Sequence, residues 1–187
     1  MMPTIRPAEL HPIIVHFPIA LLITSVVLDV IALITRRRHL LYGATWVLAF
    51  GVAGALAAGL TGSLSEHSAH ITSASVSQIL ATHQALGFAT GVVFASLLGL
   101  RLLWLSPDIL AAMSPRYAVA QRVGVWLQDA LPGLERRQLS PLLIAAYMLG
   151  SVIGVILLGL TGFYGGSLVY DHGVGTPNSV ILFLTSL

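Results

Sequence analysis

The chain has 187 residues, 56% hydrophobic and 9% charged, and its mean hydropathy is +0.90. About a quarter of an average soluble domain is charged, so nine basic and seven acidic side chains cannot cover a water-exposed surface of this size. No cysteine is present, which excludes disulfides, thiolate-held iron–sulfur clusters and covalently attached c-type haem within the chain. All nine basic residues are arginines spread thinly along the sequence, so no nucleic-acid footprint exists. No nucleophile–base set, phosphate loop or paired catalytic carboxylates occur, which leaves a hydrolase or transferase without support.

Lipid is therefore the expected solvent. A hydrocarbon layer of about 30 Å needs about 20 apolar residues per helix. Four runs qualify, at roughly residues 12–35, 41–64, 83–104 and 141–165. The expected fold is all-α: an integral membrane four-helix bundle in one domain, with an inner loop over residues 106–140. The first run is too long for a signal-peptide core and has no basic region before it. Its single acid is Asp29, while Arg101 lies near the end of the third run. At comparable depth, a charge on either residue needs a partner; the expected structural ion pair is Asp29 with Arg101, and a proton-path role for Asp29 is the alternative.

Arg36, Arg37 and Arg38 fill the first turn, and Arg101, Arg116, Arg122, Arg136 and Arg137 fall on the same side. Only Arg6 falls on the other. Basic flanks stay cytoplasmic, so both termini are expected outside, in a bacterial cytoplasmic (inner) membrane. Trp46, Trp104 and Trp126 lie at or near the inner interface. Within the inner loop, Tyr117 to Leu131 can form a helix with Val119, Val123, Trp126 and Leu127 on one stripe and Arg122 and Asp129 among its polar residues. It suits an interfacial helix or a docking site for a cytoplasmic partner. Val180 to Leu184 is apolar but too short to span.

The tetrapeptide Gly-Leu-Thr-Gly occurs at Gly59 to Gly62 and again at Gly159 to Gly162. Each copy is followed by Ser-Leu and then a histidine, and a histidine stands near the outer end of each preceding helix, at His16 and His83. Two repeated αα-hairpins related by an axis along the membrane normal are the reading.

Six of seven histidines then gather at the outer face: His11, His16, His67, His70, His83 and His172; His39 lies in the arginine turn. Imidazoles clustered on one side of an apolar bundle point to metal or haem ligation, or to proton transfer. His11 and His16 are five residues apart and cannot share one helix face. His16, about a turn deeper, is matched with His83 as the axial pair, and His11 is placed at the rim or as a further ligand. Gly87 and Gly91 follow His83 at one-turn spacing, leaving a groove or a helix contact, and Gly150 and Gly154 offer a similar contact. Thr61, Thr82 and Thr161 are available to bond the second imidazole nitrogens. His67 and His70 are spaced for a metal pair if helical, and His172 sits in the run Tyr170-Asp171-His172-Gly173, where Asp171 or Tyr170 can support a ligand imidazole and a glycine turn is an equal reading.

The opening HPIIVHFPIALL (His11 to Leu22), Asp29, the histidine-headed third span at His83 and the closing GGSLVYDHGVG (Gly165 to Gly175) resemble a family of bacterial membrane proteins catalogued as domain of unknown function 2231. The similarity covers nearly the whole chain, apart from the long inner loop and the stretch from Glu66 to His70. Related domains fused to Rieske-type or c-type cytochrome modules imply membrane electron transfer.

The function expected is that of a small b-type cytochrome-like electron-transfer protein holding haem b near the outer leaflet through histidine pairs drawn from His16, His83, His11 and His172. It is an electron carrier or subunit rather than a stand-alone enzyme. Its partners would be the lipid bilayer and an extracytoplasmic redox protein or a larger membrane complex. The alternatives are a copper, zinc or iron site built on the same histidines, with His67 and His70, and a cofactor-free accessory subunit.

Overall fold

The computed structural model describes residues 7–68, 73–113, 115–130 and 141–174. Among them the chain is all-helical: α1 (Pro7–Thr35), α2 (Arg38–Ser68), α3 (Ala74–Met113), α4 (Ala118–Ala130) and α5 (Pro141–Tyr170). The four long helices coincide with the four apolar runs, and each is long and apolar enough to cross a membrane. Arg6, His70, Leu131, Arg136, Arg137 and Val180 to Leu184 lie outside the described residues.

Helix ends differ from the expected spans because apolar length measures the lipid layer and not the helix. The third helix begins at Ala74, so His83 lies more than two turns inside it rather than at its head. Ser73 precedes that first turn, where its carbonyl accepts from Ser77 N–H at 3.1 Å. At the other end α3 runs on through Pro107 to Met113, taking up the first part of the expected inner loop. The first helix likewise starts before His11. Between α1 and α2 the chain reverses at Arg36, which takes a left-handed conformation (φ 54°).

Two hairpins, α1 with α2 and α3 with α5, face each other across a small core of Leu22, Leu48, Phe94, Leu97 and Leu158. Lipid is as apolar as leucine, so burial from water contributes little between spans and close packing must hold them. Small residues permit it. Gly51 lies against the Leu22 side chain, and Gly154 against Phe94, where an added Cβ would come within 3.0 Å of the ring. Gly150 meets Leu97 in the same way, so the Gly150 and Gly154 pair is a helix contact. Many other large apolar side chains, such as Leu60, Phe88, Leu142 and Phe163, face outward as a lipid-facing surface requires.

The equivalent contacts follow a fixed register. His83, Phe94 and Arg101 follow His11, Leu22 and Asp29 by 72 positions, and Gly154 follows Gly51 by 103. The two Gly-Leu-Thr-Gly copies are offset by 100 instead. Three residues make nearly one helical turn, so a motif displaced by three stays close to the same face and mimics an alignment one turn out of step. His16 gives an offset of 67 from His83 instead of 72, and its pairing with His83 follows from reading Pro12 as the first turn of α1, which puts His16 one turn deeper than His11.

Near the arginine-bearing end, Arg101 Nη2 donates to Asp29 Oδ2 and to Tyr147 Oη, and Tyr147 Oη donates to the same carboxylate oxygen at 3.2 Å. Asp29 and Arg101 are 2% exposed, so each charge depends on the other. The Arg101 guanidinium also lies 4.9 Å from the Tyr147 ring centroid. Above this cluster the Ser25 and Ser151 hydroxyls donate to carbonyls of their own helices, Leu22 O and Tyr147 O. The apolar core then separates the ion pair from the histidines.

A histidine pair joining the two hairpins

His11 and His83 stand eighteen residues before Asp29 and Arg101 on their helices. At 1.5 Å per residue this is about 27 Å, close to the thickness of the hydrocarbon layer. The two imidazoles meet at the bundle end opposite the arginines, with ring centroids 6.3 Å apart and planes at 86°.

Each ring is fixed by the neighbouring helix of its own hairpin. His11 Nδ1 donates to Ala58 O at 2.9 Å, and His83 Nδ1 donates to Thr161 O at 3.0 Å. A helical carbonyl is already used by the N–H four residues on, but retains a second lone pair. The residue four positions on decides whether a ring can reach it. That residue is Gly62 on α2 and Gly165 on α5. An added Cβ would lie 3.1 Å from His11 Cε1 in the first case and 2.9 Å from His83 Cε1 in the second. A buried histidine paired with a glycine four residues after a helical carbonyl is thus the signal that the sequence contained and the tetrapeptide repeat obscured.

The carbonyls set the tautomer. They can only accept, so each Nδ1 carries the proton and each neutral ring keeps a lone pair on Nε2. Burial pushes the His11 pKa below its ordinary 6.5; the bond to Ala58 offsets part of this, and the nearby His83 adds to the lowering. Thr61 Oγ1 lies 3.5 Å from His11 Nδ1 and itself donates to Ala57 O and Ala58 O. Thr161 serves His83 through its carbonyl, while its hydroxyl donates to Leu157 O and meets Thr90 Oγ1 at 3.2 Å. Thr82 bonds Gln78 O instead of an imidazole.

The other sequence-selected residues fall elsewhere. His16 is exposed on α1 beside Ile13 and Phe17, because its five-residue offset turns it away from the face that His11 presents to α2. His172 is exposed in the turn closing α5, where Gly173 (φ 65°) donates to Val169 O at 3.1 Å. The glycine-turn reading describes that segment. The backbone of α2 continues through His67 to Ser68; the His67 side chain, like His70, lies outside the described residues. Gly87 makes ordinary contact with Thr161 Cγ2 at 3.6 Å, whereas Gly91 faces open space. Among the described residues no three His, Cys, Asp or Glu gather as a metal-binding group.

Two consequences are testable in detergent-solubilised protein. Gly62→Ala and Gly165→Ala should each push an imidazole off its carbonyl, whereas Gly59→Ala, with nothing within 4 Å of the new methyl, should leave the pair intact. The nuclear magnetic resonance signals of the affected imidazole should therefore shift in the first two variants and stay in place in the third. Second, the lowered His11 pKa means that the unfolded chain binds more protons than the folded one at mildly acidic pH. Stability from this residue is therefore complete above 6.5 and is lost as the pH falls toward the depressed folded value. Melting temperatures taken from pH 8 to 5 should fall below 6.5, and His11→Asn should flatten that part of the curve.

A family model described as a predicted membrane protein, DUF2231, matches residues 7–178. No curated protein and no solved structure matches the chain.

Proposed function

The chain belongs to the DUF2231 family of predicted membrane proteins, and from that premise we propose that it is a membrane electron-transfer protein holding haem b between His11 and His83. One observation carries the reading: two imidazoles, one from each hairpin, are pinned by Nδ1 to backbone carbonyls with their centroids 6.3 Å apart. Two imidazoles each holding one metal ion at about 2.0 Å would have ring centroids up to roughly 6 Å apart. The donor set also fits. A bare ion such as zinc generally takes three or four protein ligands, whereas haem iron needs no more than two from the protein.

Haem supplies one-electron chemistry when bound. This chain's residues would orient the two nitrogens and limit water at their half-buried side. The Nδ1–H bonds to Ala58 and Thr161 increase the basicity of the opposite nitrogens. Electrons would be exchanged at the histidine end, with an extracytoplasmic redox protein or a larger membrane complex; the arginine bias supports an orientation with this end outside a bacterial inner membrane. The matching contacts in the two hairpins are read as a duplication, with the site on its axis.

Protein expressed with ample haem and purified in detergent should carry one haem and one iron per chain. Stoichiometric zinc or copper without haem would replace this reading with a metal-ion site, for which His67 and His70 would be the further ligands to test. Neither haem nor metal would leave an accessory subunit.

A further inference from the structure

The 13-residue helix α4 packs on α3 through only part of its apolar surface. Ala120 is buried and Gly124 and Leu127 are half-buried. Around a helix of 3.6 residues per turn, Val119, Val123 and Trp126 recur at one- and two-turn spacing beside that stripe. All three are exposed, at 70%, 40% and 66%. The apolar arc is therefore about twice as wide as the protein covers. A helix facing water on this side would have no reason for a tryptophan and two valines there.

Its position identifies the cover. Tyr42 Oη donates to Asp108 Oδ2 at 3.3 Å, setting the end of α3 beside the start of α2 and the exposed Arg36 and Arg37 of the turn before it. Helix α4 follows α3 after a short turn and packs back on it, at the same end of the bundle as the exposed Arg36 and Arg37. Arg116 and Arg122 are exposed, Arg122 on the flank of the uncovered stripe where its stem can lie along lipid and its guanidinium reach the headgroups. Asp129 lies two turns beyond Arg122 on the same flank. An amphipathic helix with this distribution lies in the plane of a leaflet and favours anionic lipid.

We propose that α4 is a lipid-binding element seated in the headgroup layer at the arginine end of the bundle, with Val119, Val123 and Trp126 turned into the membrane. The assignment is independent of any cofactor. The test uses full-length protein with Trp46→Phe and Trp104→Phe, so that Trp126 alone fluoresces, reconstituted in vesicles of zwitterionic lipid with 30% anionic lipid. Should Trp104→Phe disturb the fold, the difference between the native protein and Trp126→Phe isolates the same signal. Lipids brominated near the headgroup should quench Trp126 more than lipids brominated near the chain ends. Aqueous iodide should quench it at least threefold less than in a Val119→Asp/Val123→Asp variant. Strong iodide quenching with no effect of brominated lipid would overturn the proposal. So would shielding from both quenchers, which would mean that another protein chain covers the stripe.

Discussion

Replacing either His11 or His83 with alanine is expected to abolish stoichiometric haem binding, while His16→Ala leaves it unchanged. The contrast follows from geometry. His11 and His83 face each other at 6.3 Å, whereas His16 is exposed on the far side of α1. Removing one imidazole would leave the other tethered to its carbonyl and take away one of the two residues that would hold the haem. Because each ring joins two helices, folding must be read in parallel, by helical circular dichroism and by elution as a single species. A well-folded His83→Ala protein that retains its full haem content would place the ligand elsewhere. Equal loss in His16→Ala would restore that residue to the site.

The second large effect is expected at the other end of the bundle. Arg101→Leu alone should destabilise the protein by about 3–5 kcal/mol, because it leaves the Asp29 carboxylate buried without its cation. Asp29→Leu should cost a similar amount for the converse reason. The double variant should recover most of the loss, since replacing both members of a buried pair with apolar residues is often neutral or stabilising. Tyr147→Phe removes only one hydroxyl shared by the pair and should cost about 1–3 kcal/mol. Reversible unfolding in mixed micelles gives all four values. Additive losses in the double variant would show that the two charges do not depend on each other.

These two sites were legible in the sequence to different degrees. Asp29 and Arg101 are the charges left within apolar runs, and the cost of a charge in lipid leaves little alternative to their pairing. The histidines carry no such compulsion. Six candidates lie toward one end, and choosing among them requires knowing where α1 begins. Pro12 suggests a first turn, yet the helix starts at Pro7, and those additional residues make His11 helical and direct it toward α2. The backbone acceptors were also hidden. Ala58 and Thr161 contribute carbonyls, which every residue has, and only the glycines four positions later mark these two as approachable. The four long helices were readable because lipid imposes their length. The extension of α3 to Met113 was not, because beyond the hydrocarbon layer apolar length no longer reports helix length.

The absence of cysteine means that a haem in this chain is held only by non-covalent ligation. The direct measurement is the absorption and electron paramagnetic resonance of the purified protein, oxidised and then reduced. Two axial imidazoles predict a Soret band with sharp visible bands on reduction and a low-spin ferric signal. A protein that folds, is supplied with haem and shows no Soret absorption would contradict the account, as would a high-spin signal that His11→Ala and His83→Ala leave unchanged.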